Sequence, residues 1–207
     1  MKLMPVALAA TLSIAAPAQA ATIVDTGTPT GGGYTIALNP KQKLAGRFSL
    51  MSATVLTDIQ GYIGSSTNTE ILTIAISRGT DTPGDVLYSG TVTSATAPSF
   101  QGLSGLDWML DAGDYWVSFA SSGYSFMVSG APQPLAQGAY WTVDAWHPKG
   151  IWVPQDGSAS PIGVRMSGVA AAVPESATWA MMLLGFGMVG AAVRRRATTT
   201  RATIRIA

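Results

Sequence analysis

Cysteine is absent from this 207-residue chain, histidine occurs once, and only 11% of the residues are charged. Without cysteine there is no disulfide framework, no thiolate nucleophile and no Cys-built zinc site. A single histidine excludes a multi-His metal centre within one chain. Average globular proteins carry about 25% charged residues, so this chain is too charge-poor for a polyelectrolyte tail or a generic nucleic-acid binder. What it has instead is apolar, since 47% of its residues are hydrophobic. The formal net charge of +1 conceals two opposed parts. Residues 21–173 hold six basic and ten acidic side chains, net −4, while the two ends supply Lys2, Glu175 and five arginines, net +5.

The N-terminus, MKLMPVALAATLSIAAPAQA, places Lys2 before a short apolar run and closes on Ala18-Gln19-Ala20. A positive start, a short apolar stretch and small residues at the cut are the ordered parts of a secretory signal peptide. The run is interrupted by Pro5, which argues against a membrane anchor. A signal peptide over residues 1–20 is expected, with cleavage between Ala20 and Ala21 and Ala18 at the −3 position.

At the other end, residues 177–193 contain no charge and are followed at once by Arg194, Arg195 and Arg196. About 20 apolar residues span a bilayer and ~17 is the practical minimum. One short transmembrane helix is therefore expected, with Trp179 at the interface and the arginines as a stop and orientation signal on the cytoplasmic side. The 194–207 segment has no apolar period and reads as a basic cytoplasmic tail.

The residues Val173-Pro174-Glu175-Ser176-Ala177-Thr178-Trp179-Ala180, the apolar run after them and the arginine cluster together resemble the PEP-CTERM sorting signal in its PEPxxWA form. Pro174, Glu175, Trp179 and Ala180 match position by position, and Ser176 stands where a second proline is expected. The resemblance implies an exported bacterial protein whose tail is held in the inner membrane and processed near Pro174 and Glu175. Its partner would be an exosortase, and the family's association is with exopolysaccharide, biofilm and the cell surface. It covers roughly residues 173–196 and is silent on the rest.

Gly185-Phe186-Gly187-Met188-Val189-Gly190 also spells G-x-G-x-x-G. A dinucleotide site needs a preceding strand, a βαβ context and an acid about 20 residues on, and no acidic residue follows Glu175. Gly187 and Ala191 fit better as a small pair that lets membrane helices approach.

Between these ends the pattern is that of short strands. Leu72, Ile74 and Ile76 share one face, as do Tyr115, Val117 and Phe119, and Ile162, Val164 and Met166. Further strands are expected at 47–51, 55–63, 86–92, 106–110, 124–128 and 140–143, separated by turns rich in Gly, Pro, Asp and Ser. With no amphipathic helix between residues 21 and 170, the expected architecture over 21–169 is all-β: an antiparallel β-sandwich, jelly-roll-like. Residues 22–33 and 170–176 read as linkers, the latter carrying the Pro-Glu motif.

For chemistry, Asp107, Asp111 and Asp114 lie close in sequence, and glycosidases need two carboxylates at a set separation. Asp111-Ala112-Gly113-Asp114 is equally good turn chemistry, as is Asp81-Thr82-Pro83-Gly84-Asp85. No EF-hand pattern supports calcium, and no G-x-S-x-G supports a serine nucleophile for His147. The expectation is a non-enzymatic protein with no catalytic residues, metal site, cofactor or nucleic-acid partner. Tyr140, Trp141, Trp146 and Trp152 form a separate cluster whose flat rings suit stacking on sugars, so a carbohydrate-binding module is the alternative. Trp108, Tyr115 and Trp116 sit within strand patterns and are expected in the core.

Overall fold

The computed structural model describes residues 20–30, 35–155, 159–171 and 176–199, with the side chains of the last segment described over 181–194. Residues 1–171 and 172–207 form two separate compact units. The signal-peptide residues 1–19, including Ala18, lie outside the described residues, as do Pro174 and Glu175.

The first unit contains twelve strands: β1 Ala21–Asp25, β2 Thr35–Leu38, β3 Gln42–Leu50, β4 Thr54–Ser65, β5 Ile71–Ser77, β6 Val86–Thr93, β7 Ser99–Leu110, β8 Gly113–Ser121, β9 Ser125–Val128, β10 Gln137–Thr142, β11 Ile151–Pro154 and β12 Val164–Ala170. Every ladder is antiparallel. One sheet runs β1-β12-β4-β9-β2, with β7 also paired to β4, and the other runs β11-β10-β3-β8-β5-β6. Four pairings are nested along the chain: β1 with β12, β3 with β8, β4 with β7 and β5 with β6. That nesting is the winding of a jelly roll, here extended by β2, β9, β10 and β11.

The alternation read from the sequence is what closes the sandwich. Leu72, Ile74, Ile76, Tyr115, Val117, Phe119, Ile162, Val164 and Met166 belong to one core fed by both sheets. Each residue of such a trio is two positions from the next, so all three point to the same side of the pleat. Trp108 packs at the margin of this core, stacked on Tyr88 with ring centroids 5.4 Å apart. Near the end of β4 the hydroxyls of Ser65, Ser125 and Ser121 form a buried chain, with O–O distances of 2.7 and 2.8 Å. Each hydroxyl satisfies its neighbour where water is excluded.

Three expectations change. Residues 22–33 are not a plain linker, because Ala21–Asp25 is an edge strand against β12 and Thr26 is buried, donating from Oγ1 to the Val164 carbonyl. At 170–176, Ala170 still belongs to β12 and the Ala171 N–H bonds the Ala53 carbonyl, so the sandwich reaches past the expected linker start. Trp116 is fully buried but not in the main core: it faces outward from β8 with Ala45 and Ala139.

In the second unit, α1 runs Ser176–Thr199 and continues through the arginines. Among the described residues no helix is long and apolar enough to cross a membrane. A helix does form over the 177–193 stretch where a transmembrane span is expected, but as described it does not meet the length and hydropathy of a crossing. Its apolar side chains are nonetheless bare, Met181 and Phe186 being 71% and 69% exposed.

Candidate functional site

On the sheet built around β3 and β8, the side chains opposite the core form an outer face of small residues. Ala45 of β3 lies across from Ser118 of β8, and Ser118 across from Ala75 of β5. In the next row Ala120 faces Thr73. A face this short in side chain leaves a trough, and larger residues border it. They enclose a groove of about 270 Å³ lined by Lys43, Thr73, Ala75, Ser77, Gly84, Val86, Ser89, Ser118, Ala120 and Trp152.

Trp152 and Trp141 are direct cross-strand partners on β11 and β10. Their rings meet edge to face at 5.7 Å, a favoured aromatic geometry. Trp152 also packs against Ala45, Trp116 and Ala139. On β3, Lys43 stands across from Trp141 and holds its ammonium 4.9 Å from the indole centroid. A cation over a Trp face is attracted by the ring's quadrupole.

The two loops beside the groove are locked by specific contacts. In the β10–β11 connection, the Asp144 carboxylate accepts the N–H groups of Trp146 and His147 at 2.8 and 2.7 Å. The His147 N–H, its ring and the Trp146 N–H hold that carboxyl below its ordinary range. The connection ends on Gly150, at φ +79°, where an added Cβ would sit 2.2 Å from the Trp141 ring. Only glycine combines that dihedral with that approach. In the 78–85 loop, the Gly79 carbonyl accepts the Trp116 Nε1–H at 3.1 Å, and Gly84 and Asp85 return hydrogen bonds with Arg78. Trp116 thus clips this loop to the sheet.

The four sequence-predicted aromatics therefore part company. Trp152 lines the groove, and Trp141 supports it from behind Lys43 and Gly150. Tyr140 points the other way and packs on the core, as period-2 alternation from Trp141 requires. Trp146 stands 90% exposed in the loop. Lys43 escaped the sequence reading because β3 and β10 are almost a hundred residues apart, and no local pattern announces their pairing.

The carboxylates are dispersed. Asp114 binds Arg47 at 2.8 Å and also accepts from the Ser49 hydroxyl. Asp144 caps its own loop, Asp111 offers its carbonyl to the Tyr115 hydroxyl at 3.1 Å, and Asp107 is exposed on β7. Among the described residues no three acidic, His or Cys side chains form a group able to hold a metal ion.

In the C-terminal unit, Trp179 and Ala180 fall on the first turns of α1, Arg194, Arg195 and Arg196 lie toward its end, and Pro174 and Glu175 precede it outside the described residues. The chain is thus an antiparallel β-sandwich followed by a helix that exposes its apolar side chains. The family model of the PEP-CTERM protein-sorting motif matches residues 172–196. The chain carries this motif at its C-terminal end, and with it the signal of an exported protein that is sorted to the cell envelope and directed to exosortase. No curated protein matches the chain.

Proposed function

We propose that the protein is a non-enzymatic component of the cell envelope or extracellular matrix whose sandwich binds polysaccharide. A signal peptide cut between Ala20 and Ala21 starts export. The α1 segment then holds the precursor in the inner membrane, with Arg194–Arg196 on the cytoplasmic side, until exosortase cuts near Pro174 and Glu175. Bare apolar side chains along α1 favour the retained precursor, because they have no partner in water. The processed protein joins the exopolysaccharide of the biofilm or cell surface.

The observation that carries the binding role is the groove: a flat Trp152 indole beside the hydroxyls of Thr73, Ser77, Ser89 and Ser118. Sugar rings present an apolar face to stack and hydroxyls to bond, and this lining offers both. Affinity electrophoresis of the full-length protein in gels containing the host exopolysaccharide tests it. Retardation that Trp152→Ala abolishes is expected, and unchanged mobility would count against the role. Deleting residues 174–196 should release the sandwich from the inner membrane fraction; unaltered fractionation would refute the retained precursor.

A further inference from the structure

We infer that the groove selects acidic glycans, taking the carboxylate of a uronate-type unit at Lys43 while the sugar ring rests on Trp152. The inference builds on the polysaccharide reading above and adds the chemical class of its ligand.

Lys43 contributes the one charged side chain among the residues that line the groove. Its ammonium has no carboxylate within ion-pair distance among the described residues, where the three ion pairs use Arg47, His147 and Arg165. The group is half-buried and placed, since β3 fixes its stem and Trp141 holds the ammonium from one side at 4.9 Å. An indole face attracts the cation but neither neutralises it nor accepts strong hydrogen bonds, so the donors pointing away from the ring are left for a ligand. A carboxylate is their strongest acceptor.

The surroundings sharpen the choice. The sandwich is net acidic, with ten acidic against six basic side chains over 21–173. A polyanion is repelled by most of this surface and gains only where a cation stands unpaired. The rest of the lining is hydroxyl, methyl and indole. It offers no second charge to pair a basic ligand. Sugar hydroxyls, a sugar ring and one carboxylate match it group by group.

The test compares polygalacturonate, alginate and hyaluronate with their carboxyl-reduced counterparts, using the full-length protein and affinity electrophoresis. Stronger retardation by at least one acidic polymer is expected, about tenfold in apparent affinity over its reduced form, the scale of one charge-assisted hydrogen bond. That difference should fall away with added salt. It should vanish in Lys43→Gln, persist in Lys43→Arg, and be accompanied by loss of binding to both forms in Trp152→Ala. An unchanged thermal midpoint in Lys43→Gln shows that the fold is intact. Equal binding to acidic and reduced polymers, or a Lys43→Gln variant that keeps the difference, overturns the selectivity and leaves the polysaccharide role standing. Failure to bind any polymer, charged or neutral, overturns both.

Discussion

In the sandwich, Leu72, Ile74, Phe119 and Met166 point inward and are sealed from water, whereas in α1 Met181, Leu183, Phe186 and Val189 stand outward over most of their surface. The residue types are similar and the arrangement is opposite. Strand residues two apart face one side and close on a second sheet, which satisfies them within the domain. Over residues 181–193 the helix is apolar all round, so no rotation of it hides its side chains. The sorting motif overlaps this surface.

The sharpest way to break this contrast is a pair of substitutions. Trp116→Ala should destabilise the sandwich by about 3–5 kcal/mol, the usual range for a fully buried aromatic, read from urea unfolding. Leu184→Asp should leave that unfolding curve within about 0.5 kcal/mol yet reduce the share of precursor in the membrane fraction. If either change moved both readouts together, the two regions would not be independent. A smaller effect probes the buried polar chain: Ser125→Ala removes the hydroxyl between Ser65 and Ser121 and should cost about 1–3 kcal/mol by chemical denaturation, with no change in fractionation.

The smallest effect concerns pH. The Asp114 carboxyl is held below its ordinary value by the Ser49 hydroxyl and then by Arg47. Because its folded pKa is depressed, its contribution is complete above the unfolded value near 3.8 and disappears as pH falls through the folded value below that. Asp114→Asn should therefore lower the thermal midpoint slightly at neutral pH, and the gap to wild type should close in the acid range. Asp25 and Asp144 are also depressed, by the Gly27 N–H and the His147 N–H first, so an acid limb should remain in the variant. A gap independent of pH would exclude Asp114 as a source of the acid limb.

How far the chain could be read depended on whether a residue's partners lie nearby. The trios Leu72-Ile74-Ile76 and Tyr115-Val117-Phe119 announce their strands because alternation is a local property. β1, β2 and β11 are four- or five-residue strands flanked by Gly, Thr or Pro, too short to hold a period, and pairing with β12, β9 and β10 gives them their form. Trp116 shows the same limit in another way. Alternation from Tyr115 turns it outward, yet its burial comes from Trp152 and the 78–85 loop, which no pattern around residue 116 reveals. The aromatic cluster at 140–152 was visible in the sequence, but its division between core, support, groove and solvent needed the β10–β11 ladder. The sorting motif was fully legible because it is linear, and linear signals do not wait for a fold.

The pairing of Ala21 with Gly168 has a mechanical meaning. Chain entry and chain exit lie side by side at one end of the sandwich, and the exit strand β12 is flanked by hydrogen-bonded ladders to β1 and β4. A force applied along β12 would therefore be shared by two antiparallel ladders, one to β1 and one to β4.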